Sequence, residues 1–368
     1  MIYLDTSAFV KLIWSERETE ALQAFLAARS EVLLVSSALL VVEARRAVQR
    51  EDPAHTSRAD LLLTRVGQVG VTRAVLEAAS RLPDPSIRSL VPSDITIRRN
   101  HFHKPLSWFE SRQWGVKNLF ELKNAQYVTI EGNVFERNWV DQQNGMAILF
   151  TPRNQDRRCT WCIVQYVTFE HNIVRHSAAG ANVLGYDDIH RSKQLSHVTI
   201  RNNLWQDISD AWGASNAAGR LFQILNKTDH VTIDHNTGLG TKAVTFSVAG
   251  ANTNFVFTNN VVRHNHCAAG DNNCGMAGDG QPPGLPALNQ YFVSPIVEDN
   301  VMFEGNETGQ WSYPVPNFFP LSVRLNGDFT LNMSDPSNAP YVDGTGAPLG
   351  IDASVDTATT GVVQYTNP

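Results

Sequence analysis

The chain of 368 residues has no long apolar run, no large excess of one charge, and only four cysteines. Its longest apolar stretch, 32–42, is interrupted by two serines and is far shorter than the ~20 residues that span a bilayer. The net charge of −6 gives no general affinity for phosphate, so a nucleic acid would have to bind at a local site. The first residues also lack the basic start and cleavage site of a secretory signal, so we expect a cytoplasmic protein without a membrane span.

Asparagine is missing from residues 1–90, which also contain only two of the 24 glycines, whereas residues 91–368 contain 29 asparagines. Residues 1–90 carry 11 basic and 11 acidic side chains, so the net charge comes entirely from the remainder, with 19 and 25. This change of composition, beside Pro83, Pro85 and Pro92, predicts a domain boundary near residue 90. No flexible linker separates the two parts. We therefore interpret the boundary as a fusion of two unrelated coding sequences, the first of them cut short.

Strand and helix patterns alternate in the first part. Apolar strands are predicted at 2–4, 32–35 and 69–71, and helices at 16–28, from Ser36 and Ser37 to about 50, at 61–66 and at 73–82. Such alternation predicts a parallel sheet covered by helices. Asp5 follows the first strand, and Glu43 lies two turns into a helix that follows the second. These two carboxylates could hold Mg²⁺ or Mn²⁺, or they could be a helix cap and a solvated side chain.

Three stretches, YLDTSAFVKL, VSSALLVVEARRAVQR and LPDPSIRSL, resemble the first two-thirds of a PIN domain, the metal-dependent ribonuclease of toxin–antitoxin systems. The resemblance places family acids on Asp5 and Glu43. The family continues into a helix and strand that carry a third and a fourth acid, but this sequence departs after Leu90. Two-metal hydrolysis needs enough anionic oxygens to fix both ions, so we expect a truncated, inactive nuclease domain that binds RNA only if the remnant is active.

The second part contains a repeat. Seven segments share the form apolar-x-apolar-x-x-Asn-x-apolar, and their intervals are 33, 39, 31, 33, 24 and 40 residues. The aligned asparagines are Asn100, Asn133, Asn172, Asn203, Asn236, Asn260 and Asn300. Each segment alternates with period two, so it is predicted to be a strand with Val128 and Ile130 pointing inward in the second copy. The asparagines are expected at tight turns that need left-handed backbone geometry, and to form a hydrogen-bonded ladder from coil to coil.

Four segments are similar to the sequences of right-handed β-helix repeat proteins, the superfamily of pectate lyases and polygalacturonases: NLFELKNAQYVTIEGNVFERNW, AILFTPRN, GRLFQILN and FVFTNN. Residues 334–368 resemble their Pro/Gly/Asp-rich tail. The resulting fold class is mainly β: a right-handed parallel β-helix of seven or more coils over 91–333, preceded by a small incomplete α/β domain. The polygalacturonase motifs Gly-His-Gly and Arg-Ile-Lys are missing. The resemblance implies a secreted protein, whereas residues 1–90 imply a cytoplasmic one.

Three long insertions, 139–161, 177–194 and 267–289, are expected to wall a groove over one sheet. The middle one carries the candidate catalytic residues Asp187, Asp188, His190, Arg191 and Lys193. A uronide lyase needs a cation and a base, whereas a glycosidase needs two carboxyl groups about 5 to 9.5 Å apart. Because neighbours on a strand face opposite ways, a pair would join one of the two aspartates to Asp207 or Asp210. Arg153 is a candidate for binding an acidic sugar, and a solvated polar loop is the alternative for the whole set.

The cysteines form two local pairs, Cys159 with Cys162 and Cys267 with Cys274. Two disulfides, a four-thiolate Zn²⁺ site and free thiols are the alternatives, of which disulfides are favoured. The loop 270–280 has oxygen ligands for Ca²⁺ but no EF-hand spacing. Trp139, Trp161, Trp205 and Trp212 are candidates for stacking on sugar rings, although Trp205 occupies a core position of the repeat.

The leading functional hypothesis is therefore binding or cleavage of a polysaccharide, possibly an acidic one, by the β-helix. Whether the chain is an enzyme stays open, as a lyase and a glycosidase both fit. The alternatives are a metal-dependent ribonuclease toxin and a non-catalytic β-helix used for adhesion or display.

Overall fold

The structure is a computed structural model that describes residues 2–4, 6–14, 19–37, 39–69, 91–266, 272–305 and 312–363. The chain divides into two compact units, Met1–Leu90 and Val91–Pro368, and each is described by itself. Within the described residues, no helix has the length and apolar character needed to cross a membrane.

The first unit is a small α/β structure. Its three parallel strands, in the order β1-β2-β3, are β1 (Ile2–Tyr3), β2 (Leu34–Ser37) and β3 (Gly67–Val69). Its helices are α1 (Thr6–Ile13), α2 (Thr19–Ala27), α3 (Leu40–Glu51) and α4 (Thr56–Leu63). Apolar side chains from all but α2 and the last strand, including Leu4, Phe9, Ile13, Leu40 and Leu63, form one buried cluster. The predicted alternation of strands and helices is confirmed for this part of the unit.

Several boundaries differ from the prediction for local reasons. The second strand is shifted to 34–37 because Ser36 is buried within it, and the Ser37 hydroxyl accepts a hydrogen bond from the backbone N–H of Leu39 (3.2 Å) just before α3. The helix predicted at 61–66 begins at Thr56 instead, since Asp52 caps a 3₁₀ turn that leads into it. The predicted helix at 73–82 lies outside the described residues, as do Asp5 and residues 15–18.

The second unit consists mostly of parallel strands in three sheets. Sheet 1 contains β4 (Ser93–Arg98), β7 (Ala125–Glu131), β10 (Val164–Glu170), β13 (Ser196–Arg201), β16 (Asp229–Asp234), β19 (Asn252–Thr258), β22 (Phe292–Val293) and β23 (Ile296–Glu298). Sheet 2 contains β5 (His101–His103), β8 (Val134–Asn138), β11 (Ile173–Ser177), β14 (Leu204–Ile208), β17 (Thr237–Gly240), β20 (Val261–Arg263) and β24 (Val301–Phe303). Sheet 3 contains β6 (Phe120–Leu122), β9 (Met146–Phe150), β12 (Ala179–Leu184), β15 (Phe222–Leu225), β18 (Thr245–Val248) and β21 (Met276–Gly278). The helices are α5 (Leu106–Ser111), α6 (Leu285–Tyr291) and α7 (Ser354–Thr359).

The chain visits the three sheets in the same order in every coil, and each strand pairs in parallel with its equivalent one coil away. The repeat segments are in register: Val128 lies opposite Ile95 on one side and Val167 on the other. Val128 and Ile130 are buried and Thr129 is not, which confirms the predicted alternation. The core between the sheets is filled by apolar rings and branched side chains from all three.

The seven aligned asparagines form the predicted ladder. In each step, the side-chain Oδ1 of one asparagine accepts hydrogen bonds from both the backbone N–H and the Nδ2 of the asparagine one coil earlier, as between Asn172 and Asn203 (2.9 and 3.1 Å). The ladder extends to an eighth residue, Asn317, which accepts from Asn300 (3.0 and 2.9 Å). Asn317 does not match the repeat pattern, because it follows Asn300 by only 17 residues and lies in a shortened segment, VPNFF.

The predicted reason for asparagine at these positions is wrong. The left-handed backbone belongs to the residue before each of the seven aligned asparagines, for example His171 (φ 54°), His235 (φ 50°) and Asn259 (φ 58°), and not to the ladder residues themselves. Asparagine is required instead because its short amide supplies one acceptor and two donors to buried backbone and neighbouring amides. The geometric demand and the hydrogen-bonding demand thus fall on adjacent residues.

The C-terminal residues 341–363, here called the strap, run back along the corner between sheets 1 and 2. The backbone N–H of Gly350 donates to the Asn259 carbonyl oxygen (2.8 Å). The next two N–H groups donate to side chains, that of Ile351 to the Thr237 hydroxyl (3.1 Å) and that of Asp352 to Oδ1 of Asn202 (3.0 Å). Further along, Arg99 donates to the carbonyl oxygens of residues 358 and 360 (2.5 and 2.8 Å). The strap therefore contacts the coils in the reverse of their order in the chain.

Candidate functional site

A cavity of about 620 Å³ lies on the outer face of sheet 3. Its floor is a column of side chains that stand in register on neighbouring strands: Glu121, Leu149, Asn182 and Gln223. Alternate residues of a strand point to opposite faces, so the residues between these fill the core while this column faces outward. We call this cavity the groove.

Two side-chain amides, those of Asn182 and Gln223, line the floor of the groove. The Oδ1 atom of Asn182 is buried, and within the described residues it has no hydrogen-bond donor. The side-chain oxygen Oε1 of Gln223 accepts a hydrogen bond from Arg220 (3.2 Å), and this bond orients the Gln223 amide. Arg220 itself lies over the Phe246 ring, and burial lowers its pKa to about 10. A buried acceptor without a donor is uncommon in native proteins and indicates a position that a ligand or water completes.

The wall of the groove is built by two loops at the corner between sheets 3 and 1. Residues 151–163 connect β9 to β10, and residues 185–195 connect β12 to β13, whereas the next coil turns the same corner in the three residues 226–228. The insertions predicted at 139–161 and 177–194 are therefore shorter than expected, because each includes a strand of sheet 3. The apolar run 146–150 and the small-residue run 179–184 are those strands.

Asp187 organises both loops. Its buried carboxylate accepts hydrogen bonds from the backbone N–H groups of Asn154 (2.7 Å) and Ile189 (2.9 Å) and from Arg153 (3.2 Å). Burial alone would raise the pKa of Asp187, but the two backbone donors and the arginine outweigh it and hold the pKa below its usual value. Asp187 is thus charged at neutral pH and holds the two wall loops together.

Arg153 also pairs with Asp188, so both adjacent aspartates contact the same guanidinium. The expectation that Asp187 and Asp188 face opposite ways does not hold, because they lie in a loop and not on a strand. Of the other candidates, His190 lines the groove and its Nδ1 accepts from Arg157 (3.4 Å).

Arg191 and Lys193 are not among the residues that line the groove. The Arg191 guanidinium lies over the ring of Tyr186, with 4.3 Å from its central carbon to the ring centroid. The Lys193 backbone N–H donates to the Cys162 carbonyl (2.9 Å) and joins the two loops.

Asp207 and Asp210 do not join this group. Asp207 lies on β14 in sheet 2, where it accepts hydrogen bonds from His176, Trp212 and Ser209, each at 2.9 Å. Burial opposes the shift, but these three donors hold the pKa of Asp207 below its usual value. Asp210 begins a 3₁₀ turn beside it. Neither carboxylate lines the groove, so the carboxylate pair predicted from neighbouring coils is not formed there.

The tryptophan candidates are largely unavailable for stacking on a ligand in the groove. Trp139 and Trp205 are fully buried, and Trp205 packs against Phe169 and Phe222 in the core as its repeat position predicts. Trp212 donates to Asp207 on sheet 2.

The structure joins Cys159 and Cys162 in a disulfide at the base of the wall. The Cys159 backbone N–H donates to Oδ1 of Asn154 (2.6 Å), the residue that also contacts Asp187. Cys274 is disulfide-bonded as well, and Cys267 lies outside the described residues. These bonds replace the alternatives of a Zn²⁺ site and free thiols for the cysteines that the structure describes.

In the first unit, Glu43 lies in the first turn of α3, and its carboxylate accepts a hydrogen bond from the Thr6 hydroxyl at the start of α1. This contact brings the candidate metal ligand to the end of β1, where Asp5 stands in the sequence. Asp5 itself lies outside the described residues.

Comparison with known proteins identifies this unit. Over 90 residues, the chain is 38% identical to ribonuclease VapC35 of Mycobacterium tuberculosis (strains CDC 1551 / Oshkosh and ATCC 25618 / H37Rv), a match that covers 24% of this chain and 67% of VapC35. It is 39% identical over 93 residues to ribonuclease VapC47 of the CDC 1551 / Oshkosh strain, covering 24% of this chain and 68% of VapC47. Through its first ninety residues, the chain belongs to the VapC ribonuclease family. No family model matches the chain, and no solved structure matches it significantly.

The VapC-like unit does not present a complete metal site in its described part. Throughout the described residues of both units, no three His, Cys, Asp or Glu side chains are grouped so that they could hold a metal ion. Among the described residues Glu43 is thus a single candidate carboxylate, and Asp5, its expected co-ligand, lies outside them. The same finding applies to the described residues 272–280 of the loop predicted to bind Ca²⁺.

The floor residues Glu121, Asn182 and Gln223 were missed from sequence, although a signal was present. Each is the polar residue inside an otherwise apolar third strand: LFEL, ANVL and LFQIL. Such an interruption at the same place in three of four consecutive coils marks an outward column on a face that is otherwise apolar.

Proposed function

We propose that residues 91–363 form a right-handed parallel β-helix that binds an uncharged polysaccharide in the groove. The observation that carries the proposal is the Asn182 amide in the groove floor, whose buried Oδ1 meets no hydrogen-bond donor among the residues that the structure describes. A sugar hydroxyl is a donor of suitable size, and the neighbouring Gln223 amide can contact the next hydroxyl. The rim adds the amides of Gln143, Asn144 and Gln155.

The charges of the groove favour a neutral ligand over an acidic one. Arg153, the predicted anchor for an acidic sugar, already pairs with two carboxylates. Lys123 lies 3.6 Å from Glu121. An acidic sugar would have to break one of these pairs, and the remaining carboxylates would repel it.

The same contacts favour binding over cleavage. A glycosidase needs a carboxylic acid that stays protonated until it meets the leaving group, which requires a raised pKa. Asp187, the most buried of the groove carboxylates, has a lowered pKa and uses its oxygens to hold the two wall loops. A lyase needs an unpaired cation beside the base, and Arg153 does not supply one.

The test compares the double variant Asn182→Ala/Gln223→Ala with the full-length chain by affinity gel electrophoresis in soluble uncharged glucans and mannans, and in polygalacturonate. We expect retardation of the unchanged chain in a neutral glycan and weaker retardation of the variant. Gln206→Ala, which removes an amide from β14 on sheet 2, is the matched control and should be retarded normally. Retardation only in polygalacturonate, or production of unsaturated or reducing ends, would contradict this function.

A second candidate function, RNA cleavage by the first unit, is supported by the similarity to VapC ribonucleases and by the Thr6–Glu43 contact. Its test is incubation of the full chain with RNA and Mn²⁺ or Mg²⁺, with Asp5→Asn as the comparison. Cleavage that disappears in the variant would support it, and no cleavage by either protein would leave the unit a non-catalytic remnant. Retardation in no glycan together with no RNA cleavage would favour adhesion or display.

A further inference from the structure

A column of stacked rings stands on the outer face of sheet 1, away from the groove. Tyr127, Tyr166, His197 and His230 occupy equivalent positions on β7, β10, β13 and β16. Successive ring centroids are 4.8, 4.6 and 4.4 Å apart, with interplanar angles of 2°, 26° and 6°. Tyr127 is 51% exposed and Tyr166 is 41% exposed, so the stack presents its edges to solvent.

The two tyrosines of this column occupy a backbone geometry that disfavours them. All four residues have a left-handed backbone, with φ of 51°, 52°, 54° and 49°. The same position is left-handed in the outer coils too, but there the residues are Asp94 (φ 60°) and Asn254 (φ 51°), types that tolerate it. The fold therefore fixes the geometry at this position, and Tyr127 and Tyr166 adopt it at a conformational cost that Asp, Asn and His largely avoid. Stacking of the rings on one another offsets part of this cost, and bulky residues held in such geometry cluster at functional sites.

A threonine column runs beside the rings. Thr96, Thr129, Thr168 and Thr199 are paired in register on successive strands. A shallow trough of about 540 Å³ follows both columns from Asp94 to Thr199. Among the residues that line it, Asp94 alone carries a permanent charge. Hydroxyl and ring-edge polar groups thus recur at the ~4.8 Å spacing of neighbouring strands.

The trough ends where the ring column lacks a member. Ser93 pairs with Gln126 and Ile95 with Val128, so Asp94 is the residue in register with Tyr127. The only ring contact of Tyr127 within the described residues is with Tyr166, and its other face is directed toward the coil of Asp94. A sugar ring placed there would continue the stack on Tyr127, and the Asp94 carboxylate could accept a hydroxyl hydrogen bond.

We propose that the ring and threonine columns bind a linear, uncharged glycan that lies along the trough with one sugar stacked on Tyr127. The repeated hydroxyl and ring-edge groups match a polymer of repeated hydroxyls, and the near absence of charge excludes an ionic basis for recognition. This surface lies on a different sheet from the groove and does not depend on it. With both sites, one chain would engage a glycan twice and gain avidity.

The test uses Tyr127→Asn and Tyr166→Asn, singly and together, in the full chain. Asparagine already occupies this backbone position at residue 254, so we expect the variants to melt at or slightly above the temperature of the unchanged chain. Isothermal titration with cellohexaose, xylohexaose and mannohexaose should show affinity for at least one, weakened by about tenfold or more in the double variant. Trigalacturonate, the charged comparison, should bind more weakly than the neutral probe.

The groove variant Asn182→Ala/Gln223→Ala separates the two sites. We expect it to retain the binding that the tyrosine variants lose. Binding of the neutral hexaoses that is unchanged in the tyrosine double variant would overturn this inference and leave the groove proposal standing. No binding by the unchanged chain to any neutral hexaose, or tighter binding of trigalacturonate, would overturn it as well.

Discussion

Replacing a central ladder asparagine tests what holds the coils together. Asn203 is fully buried, and its Nδ2 donates to the carbonyl oxygens of Phe169 (2.9 Å) and Arg201 (2.8 Å). Its Oδ1 accepts from the backbone N–H of Asn172 (2.9 Å). Asn203→Ala leaves this N–H buried without a partner, which costs about 1–3 kcal/mol, and removes the two carbonyl bonds at about 0.5–1.5 kcal/mol each.

We therefore expect Asn203→Ala to lower the free energy of unfolding by about 2–6 kcal/mol. For a unit of this size, that corresponds to a melting temperature lower by about 4–12 °C, measured by circular dichroism of the β signal or by calorimetry. The matched control is Asn100→Ala. Its Nδ2 donates to the exposed Arg98 carbonyl (2.9 Å), but no described donor reaches its Oδ1, so this variant strands no N–H and should lose only about 0.5–1.5 kcal/mol.

Asn203→Gly distinguishes the ladder from the alternative that asparagine is needed for left-handed geometry. Glycine accepts any backbone geometry, so that alternative predicts a nearly neutral change. The ladder predicts a loss at least as large as that of Asn203→Ala, because the same hydrogen bonds disappear and glycine adds conformational entropy to the unfolded chain. A stable Asn203→Gly protein, or equal losses in Asn100→Ala and Asn203→Ala, would refute the reasoning.

Three further predictions concern charge and the disulfide. The hydrogen bond to Asp234 raises the pKa of His235, which also faces Asp343 of the strap (3.6 Å), so this stabilisation is full below pH 6.5 and is lost as pH rises through the raised pKa. The melting temperature of His235→Gln should therefore approach that of the unchanged chain between pH 6 and 9, and a constant difference would contradict the assignment. The pKa of Asp187 is lowered, so its contribution to stability is present above its unfolded pKa of about 3.9 and is lost as pH falls through the folded value. Asp187→Asn should therefore make residues 151–163 and 185–195 more sensitive to proteolysis at pH 7, but should change their sensitivity little at pH 2. Cys159→Ser should weaken the retardation of the chain in a neutral glycan, because the disulfide lies in the wall of the groove, with a comparatively small effect on the melting temperature. Retardation equal to that of the unchanged chain would show that the disulfide does not support the site.

Much of the second unit was predictable because one short pattern recurs. The period-two alternation in VTI-type segments fixed which residues enter the core, and the recurrent asparagine fixed where the coils align. The position of the left-handed residue was off by one, since the pattern carries no sign of which neighbour bends the chain. Residues 99, 132, 171, 202, 235, 259 and 299, which do bend it, are of five different types.

The groove was less predictable because it depends on which loops lie against each other. Asp187, Asp188, His190 and Arg153 were named from composition, but nothing in the sequence indicated that Arg153 and the two aspartates neutralise one another. That pairing requires the loop of one coil to lie against the loop of the next. Asp207 was misplaced for the same reason, since sequence distance does not tell which sheet a residue of the next coil occupies.

The strap changes how the second unit is expected to assemble. In a stack of coils, each coil contacts only its neighbours, so folding can start locally and spread, and end coils can open on their own. The strap joins residue 360 to Arg99, which closes a loop over nearly the whole unit. Such a contact carries a large closure entropy, so it should form after the coils it crosses. Once formed, it couples both ends of the stack, and the first and last coils should unfold together and not one at a time.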